Sequence, residues 1–392
     1  MRYKTLPGGY PLTFYLAFLA NVLFFSSMHL LITPLPLYVE EIGGGDAEVG
    51  LATTTFALAA IAARPLMGRL ADTWGRKPIL LIGAGAFALA PLSYMLARSV
   101  PALLAARTLH GAGIAAFTTA YFALVADVTP RARWGEAIGV AGIAPSISLI
   151  LASPLGTGLI QRTTFPIVFL GAALAALLSF FIALLIQEPE RQNTAYETTN
   201  PRIPGLLDVA RLRGVFAPSL ATVTLGLSYG AVFTFLPLFG RDRSLGNVGF
   251  FFSASGITIM LSRSVAGRLS DKVGRVAIIL PMFFVLAIST AGLNWTYGLA
   301  VLIVMAIIYG IGFGGTRAGL DAMVVDSAPG RARGTALGLL YLCLDSGVAI
   351  GGMAMGVLAD LAGYGEIYLL LAAVCVLTAV LFGLAMRNHE AK

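Results

Sequence analysis

The sequence predicts an all-α membrane protein of about twelve transmembrane helices, arranged as two pseudo-symmetric six-helix bundles. Three observations predict this fold: a scarcity of charge, repeated apolar stretches of membrane-spanning length, and an internal repeat. Of the 392 residues, 58% are hydrophobic and only 11% are charged, whereas soluble globular domains carry about 25% charged residues. A soluble globular fold is therefore excluded.

The apolar stretches each supply the length of about 20 residues that a membrane helix needs. The predicted spans are 12–38, 48–67, 78–97, 101–126, 135–160, 165–187, 214–239, 247–266, 277–295, 297–326, 334–359 and 364–386. The first apolar run is long and others follow it, so we expect an uncleaved first span. A polar stretch, 188–213, predicts a linker between an N-terminal bundle, 1–187, and a C-terminal bundle, 214–392.

The basic residues decide the expected topology. The formal net charge is +7, which could indicate a nucleic-acid partner, but most of the lysines and arginines fall in one set of alternate loops and tails. This is the positive-inside pattern, which predicts a multi-pass protein of the inner membrane with both termini in the cytoplasm. We therefore expect the lipid bilayer, and no nucleic acid, as a partner.

The internal repeat separates architecture from specialisation. A shift of 199 residues aligns Arg64–Arg76 with Arg263–Arg275, and the same register pairs Gly111 with Gly310 and Asp127 with Asp326. One unbroken register across both halves predicts two homologous bundles in parallel orientation, with a substrate site near the middle of the membrane.

Three motifs carry a resemblance to a known family. The run Gly68-x-Leu70-Ala71-Asp72-x-x-Gly75-Arg76-Lys77 resembles the major facilitator signature between the second and third helices, and Gly267–Arg275 is its second copy. The run Arg107–Gly113 is similar to the fourth-helix motif of the drug and metabolite proton antiporters of twelve helices. Gly310–Gly314 with Asp345 is similar to the arabinose-efflux-like and staphylopine-type exporter subgroup.

This resemblance implies a proton-coupled exporter of a small amphipathic organic compound, a drug or metabolite, that works by rocker-switch alternating access. The fifth-helix motif departs from the antiporter pattern, because Ser153–Gly156 stands where a Gly-Pro start is usual. An importer or facilitator of a sugar or organic anion, with Arg107 and Arg317 binding the anion, is the alternative. A membrane receptor or scaffold is a third possibility.

The resemblance also implies that the paired signatures control access from the cytoplasm. A latch that breaks when the halves rock must be weak, and partly exposed ion pairs worth about 0–1 kcal/mol each fit that need. The alternative is that these charges only set topology. The expected gating residues are Gly68, Asp72, Arg76, Asp127, Arg131, Gly267, Asp271, Arg275, Asp326 and Arg331.

Polar residues that lack a counterpart in the repeat are candidates for substrate and ion chemistry. They are Asn21, Arg107, Arg317, Asp321 and Asp345. An intramembrane charge costs about 2.5–3.5 kcal/mol on insertion scales, so the four charged side chains must face the bundle interior or each other. Arg317 and Asp321 are four residues apart and can pair on one helix face. We expect Asp345 or Asp321 to carry the proton, with Arg107 taking part, or alternatively a static structural pair.

Mixed polar and aromatic stripes on several helices predict a cavity for an amphipathic molecule. The expected substrate-binding residues are Asn21, His29, Arg107, Thr118, Tyr121, Tyr229 and Arg317. Asn21, Phe25 and His29 recur every four residues and share a face. His29 could titrate near neutrality or could be a hydrogen-bonded packing residue.

No catalytic chemistry emerges from the sequence. There is no P-loop, metal-binding or nucleophile motif, so we expect no enzyme activity, no catalytic residues, no cofactor and no metal. Cys343 and Cys375 both fall in apolar spans, which excludes a disulfide framework. The expected partners are a small-molecule substrate and protons, and we expect the protein to be a monomer.

Overall fold

The structure is a computed structural model that describes residues 9–130, 133–188, 206–328 and 332–390. The described residues form fifteen helices. In the first half these are α1 Leu12–Leu30, α2 Pro34–Glu41, α3 Asp46–Trp74, α4 Arg76–Leu96, α5 Val100–Asp127, α6 Trp134–Ala141, α7 Ala144–Ile160 and α8 Phe165–Leu184. They continue with α9 Leu206–Ala210, α10 Arg213–Asp242, α11 Gly249–Val273, α12 Arg275–Leu293, α13 Leu299–Ser327, α14 Arg333–Ala362 and α15 Tyr364–Glu390.

Twelve segments in the described part of the chain are helical, long and apolar enough to cross a membrane. The first combines α1 with α2, which meet near Pro34, and the fifth combines α6 with α7. Proline is tolerated at the first position of a helix because its missing N–H has no partner there in any case. The predicted all-α fold with twelve membrane-spanning helices is confirmed.

Apolar side chains on the helix surfaces fit contact with lipid. On α8, for example, Leu170, Leu174 and Phe181 are exposed, and only 44% of an apolar stretch of 18 residues in this helix is buried within the protein. In α10, in contrast, 78% of the corresponding stretch is buried. An outward apolar belt of this kind matches a protein that has the bilayer as its solvent.

The chain forms two compact units. The first comprises Met1–Gly43 with Thr55–Asn200, and the second comprises Gly44–Thr54 with Pro201–Lys392. In the first unit, α4 packs against α5 and α8, while α1 packs against α7 and α8. In the second unit, α10 packs against α14, α13 packs against α11 and α12, and α12 packs against α15.

Glycines at matching positions allow the same close helix packing within each unit. A side chain on Gly111 would collide with the Phe56 carbonyl oxygen, and one on Gly310 would meet the Ser255 carbonyl oxygen. The partners are related by the same shift of 199 residues as the glycines. The sequence repeat is therefore also a repeat of packing, in which small residues let backbones approach closely.

The helices of the two signatures extend further than the sequence indicated. The predicted second and eighth spans end at residues 67 and 266, but α3 continues to Trp74 and α11 to Val273. Each following turn consists of a single glycine, Gly75 with φ 113° and Gly274 with φ 97°. Glycine adopts positive φ without a steric penalty, so the chain reverses in one residue and Gly68–Asp72 is helical rather than part of a loop.

Candidate functional site

In the first unit, Arg76 at the start of α4 joins two carboxylates. Its Nη1 lies 2.5 Å from Oδ1 of Asp72 on α3, and its Nε donates to Oδ2 of Asp127 on α5 at 2.9 Å. Both carboxylates are largely exposed, whereas the arginine side chain is mostly buried. The predicted gating residues Asp72, Arg76 and Asp127 therefore form one ion-pair bridge that ties three helices together.

The second unit contains the same bridge at the repeat-related positions. Arg275 pairs with Asp271, and its Nε donates to Oδ2 of Asp326 at 2.9 Å. Two further predicted gating residues, Arg131 and Arg331, lie outside the described residues. A side chain at Gly68 would make only ordinary contact with Thr119, and one at Gly267 would meet nothing within 4 Å. The arginine bridges, not close approach at these two glycines, connect the signature segments to their units.

Arg133 pairs with Glu136 at 2.8 Å and stacks on the ring of Tyr10, with its guanidinium carbon 4.3 Å from the ring centre. Glu136 lies three residues further along the chain, within reach of the arginine on the same turn. Arg133 therefore ties the segment before α1 to the start of α6.

Glu188, which the sequence placed in the linker, caps helix α4. Its carboxylate accepts hydrogen bonds from the backbone N–H of Arg76 at 2.6 Å and of Lys77 at 3.3 Å. A carboxylate at a helix N-terminus satisfies N–H groups that have no partner within the helix and interacts favourably with the helix dipole. The sequence signal that could have identified this cap is an acidic residue at the end of one predicted span, together with a neighbouring helix that begins after a glycine.

Loss of this cap has a measurable consequence. We expect Glu188→Ala to lower the stability of the protein by about 1 kcal/mol, the typical cost of a lost helix cap. Thermal unfolding in detergent should show a decrease in Tm of about 1 °C. Glu41→Ala, which removes an exposed glutamate from the end of α2, is the matched control and should leave Tm nearly unchanged. Equal shifts in both variants would contradict the capping role.

Arg107 is buried in the first unit and surrounded by aromatic rings. Its guanidinium carbon lies 4.4 Å from the centre of the Phe56 ring. Nη1 of Arg107 lies 3.4 Å from Nδ1 of His110, and the Tyr94 hydroxyl lies 2.7 Å from the same nitrogen. Because guanidinium groups can only donate, Nδ1 accepts and His110 is neutral. Arg107 is thus held by cation–π and hydrogen-bond contacts.

The other predicted binding residues of the first unit make local contacts. Nδ1 of buried His29 lies 2.5 Å from the Ser148 hydroxyl, Thr118 donates to the Ile114 carbonyl oxygen at 2.7 Å, and Tyr121 donates to the Ala141 carbonyl oxygen at 3.3 Å. Asn21 is also buried. These contacts join α1 to α7 and α5 to α6. The contact of His29 with Ser148 is the kind expected of a hydrogen-bonded packing histidine.

The second unit brings three charged side chains together on α11 and α13, two of the helices that are long and apolar enough to cross a membrane. Arg317, which is 4% exposed, forms an ion pair with Asp321, with 2.8 Å between its Nε and Oδ1 of the carboxylate. The other oxygen of Asp321 lies 3.3 Å from Nη2 of Arg263 on α11. Arg317 also stacks on the ring of Tyr341 on α14, with its guanidinium carbon 4.8 Å from the ring centre. Asp321 is therefore shared between two arginines from two helices.

Arg263 has a symmetric counterpart in Arg64 and was not among the residues expected at the site. The structure joins it to the charge cluster, which we define as Arg263, Arg317 and Asp321 together with the Tyr341 ring. Asp345 is half-buried on α14, one helical turn beyond Tyr341.

Tyr229 belongs to an aromatic group in the second unit. Its ring stacks on Phe233 with 3.7 Å between centres and lies 5.9 Å from Phe313. Phe233 in turn lies 4.7 Å from Phe252. Aromatic pairs of this kind contribute contact area together with preferred ring geometries.

The first residues of α3 pack within the second unit, against α14. The backbone N–H groups of Asp46 and Ala47 donate to the two carboxylate oxygens of Asp360, each at 3.2 Å, and Tyr364 donates to Asp46 at 2.6 Å. Thr54 donates to the Ala349 carbonyl oxygen at 2.7 Å. We call this contact of residues 46–54 with α14 and Tyr364 the α3 seam.

Comparisons with known proteins agree with this architecture. A model of the Major Facilitator Superfamily matches residues 17–299 and 219–392. An uncharacterized MFS-type transporter of Methanocaldococcus jannaschii is 25% identical over 350 residues, which cover 85% of this chain and 87% of that protein. The multi-drug resistance efflux pump PmrA of Streptococcus pneumoniae is 28% identical over 395 residues and 94% of each chain.

A crystal structure of a human organic anion transporter superposes with a TM-score of 0.69 at 19% identity, covering 94% of this chain and 98% of that one. Transporters of this family are not enzymes, and they carry small molecules across the bilayer. With its family match over most of the sequence and its twelve membrane-spanning helices, this chain is a multi-pass membrane transporter that belongs to the major facilitator superfamily.

Proposed function

We propose that this transporter exports a small amphipathic organic compound in exchange for protons. The observation that carries the proposal is the charge cluster, because it holds a carboxylate inside the membrane between two arginines. Intramembrane ionisable residues typically mark substrate or proton pathways. Similarity to an efflux pump over 94% of the chain supports the export direction.

Asp321 is the proposed proton carrier, with Asp345 as the other candidate. Protonation of Asp321 would remove the charge that holds Arg263 of α11 and Arg317 of α13 at distances of 3.3 and 2.8 Å. The contact between α11 and α13 would then weaken, since the ion pair between Arg263 and Asp321 joins these two helices. Proton uptake would in this way change the packing of the helices around the cluster. Release of the proton would restore both ion pairs.

The substrate would contact the aromatic group and an arginine. The stacked rings of Tyr229 and Phe233, together with Phe313, suit the apolar part of an amphipathic compound. The guanidinium group of Arg317, which lies on the same helix as Phe313, would bind the polar part of the compound. Among the remaining predicted residues, we assign Asn21, His29, Thr118 and Tyr121 to the support of α1 and α5 in the first unit.

Alternating access would use weak contacts that break in every cycle. The bridges at Arg76 and Arg275 are partly exposed, which limits each ion pair to about 0–1 kcal/mol, and they would act as the cytoplasmic latch. The α3 seam would act as a second gate, at the opposite ends of the helices. Both termini would lie in the cytoplasm, in accordance with the distribution of basic residues.

Inside-out membrane vesicles test the proposal. A fluorescent amphipathic dye should accumulate in vesicles that contain the transporter when a proton gradient, acidic inside, is imposed, and a protonophore should abolish the accumulation. Vesicles without the transporter provide the background. Accumulation that ignores the gradient, or movement only in the opposite direction, would contradict proton-coupled export.

Transport of an organic anion is the second candidate function. Within the described residues, Nη1 of Arg317 is buried without a hydrogen-bond partner, and a substrate carboxylate would satisfy it. Guanidinium groups bind carboxylates with two parallel hydrogen bonds. Uptake of a labelled aromatic carboxylate into right-side-out vesicles, insensitive to protonophore, would favour this function over export.

A further inference from the structure

A groove of about 270 Å³ lies between α12 and α15 in the second unit. It is lined by Val276, Leu280 and Phe284 from α12 and by Gly383, Leu384 and Arg387 from α15. Gly383 contributes no side chain, and Leu280 is its nearest neighbour, 3.4 Å from the position of a β carbon. The groove is thus apolar along its length, with one cationic side chain at the end where α12 begins.

The internal repeat identifies the residue of the first half that corresponds to Arg387. The shift of 199 residues that relates the halves places Arg387 where the first half has Glu188, and Arg275 and Val276 where it has Arg76 and Lys77. In the first half the Glu188 carboxylate accepts hydrogen bonds from both backbone N–H groups. An arginine cannot accept hydrogen bonds. The second half therefore replaces the anion at this position with a cation.

In the second half, the N-terminus of α12 and the Arg387 side chain both favour binding of an anion from outside the chain. A helix N-terminus attracts negative charge, and the Arg387 guanidinium attracts it as well. In the first half an observed carboxylate occupies the equivalent position. The end of the groove is also the end at which the sequence predicts the cytoplasm, where the membrane leaflet carries anionic lipids.

We propose that this groove binds an anionic phospholipid. The acyl chain would lie along the apolar lining between Leu280, Phe284 and Leu384, and the phosphate group would contact Arg387 and the first turn of α12. A lipid fits better than a soluble phosphate, because only a lipid covers both the apolar length of the groove and its charged end. The inference does not depend on the substrate or on the direction of transport.

Thermal unfolding of the purified protein in detergent tests the proposal. Added phosphatidylglycerol should raise Tm by at least about 2 °C relative to the same concentration of phosphatidylcholine, since a ligand that binds only the folded state stabilises it. Arg387→Ala should lose this difference. Arg387→Glu should lose it as well, because a glutamate at this position would cap α12 as Glu188 caps α4. Arg162→Ala, which removes an exposed arginine between α7 and α8, should retain it.

Three results would overturn the proposal. They are an equal effect of the two lipids on the native protein, an undiminished phosphatidylglycerol effect in both Arg387 variants, and full stabilisation by glycerol phosphate without acyl chains. The last result would identify a phosphate site that does not use the groove. Since Arg387→Ala and Arg387→Glu change the charge in different ways, misfolding of one variant leaves the other as a test.

Discussion

Asp321→Asn is expected to lower proton-driven transport by at least about tenfold, which corresponds to an increase of about 1.4 kcal/mol or more in the effective barrier. Asparagine keeps the size of the side chain and one oxygen that can accept from Arg317, but it cannot bind and release a proton. The gradient would then have no group through which to act. Substrate exchange at equal pH on both sides of the membrane should be much less affected. Transport into vesicles with and without an imposed pH gradient measures both quantities.

Three control variants separate a proton carrier from a structural ion pair. Asp321→Glu retains a carboxylate and should keep the response to the gradient. Arg263→Gln removes one of the two ion pairs of Asp321 and should keep gradient-driven transport at a changed rate. Asp345→Asn should be nearly neutral if Asp321 is the carrier. Full gradient-driven activity in Asp321→Asn, with loss in Asp345→Asn, would transfer the role to Asp345.

Gly50→Ala is expected to prevent the α3 seam from closing. A β carbon on Gly50 would collide with the Gly352 carbonyl oxygen on α14 and lie about 3.2 Å from Cα of Gly356. Both partners are backbone, so α14 itself would have to move. Overpacking of this kind costs about 1–3 kcal/mol, which would lower the population of the closed seam, and with it transport, by about fivefold or more.

A cross-link reports closure of the seam independently of transport. The hydroxyl groups of Thr53 and Thr234 lie 2.9 Å apart, so cysteines at these positions should form a disulfide when Cys343 and Cys375 are replaced. Gly50→Ala should reduce the yield of this disulfide. Gly171→Ala, on α8 with nothing within 4 Å of the added carbon, should not. Normal cross-linking and transport in Gly50→Ala would exclude the seam as a gate.

The sequence predicted the fold well because the bilayer allows few solutions. Apolar stretches of about 20 residues have to be helices, since every backbone polar group must be satisfied within the chain. The internal repeat then anticipated packing details, such as the matching contacts of Gly111 and Gly310. The helix ends at Trp74 and Val273 were missed because polar helical turns that leave the apolar core carry no hydropathy signal.

The candidate site was predicted less completely, and the reasons are specific. The pair of Arg317 with Asp321 followed from their spacing along one helix, but the contact of Arg263 with Asp321 joins residues on two helices and has no sequence signal. The rule that symmetric residues belong to the scaffold also pointed away from Arg263. Glu188 was predicted to lie in the linker because its neighbours in sequence are polar. Those neighbours do not indicate the helix that it caps.

Proton release on substrate binding tests the central claim most directly. The purified transporter, in weakly buffered detergent solution with a pH-sensitive dye, should release protons when a transported compound is added. Asp321→Asn should bind the compound and release none. Binding without proton release in the native protein, or equal release in Asp321→Asn, would contradict an exchange of substrate for a proton at this carboxylate.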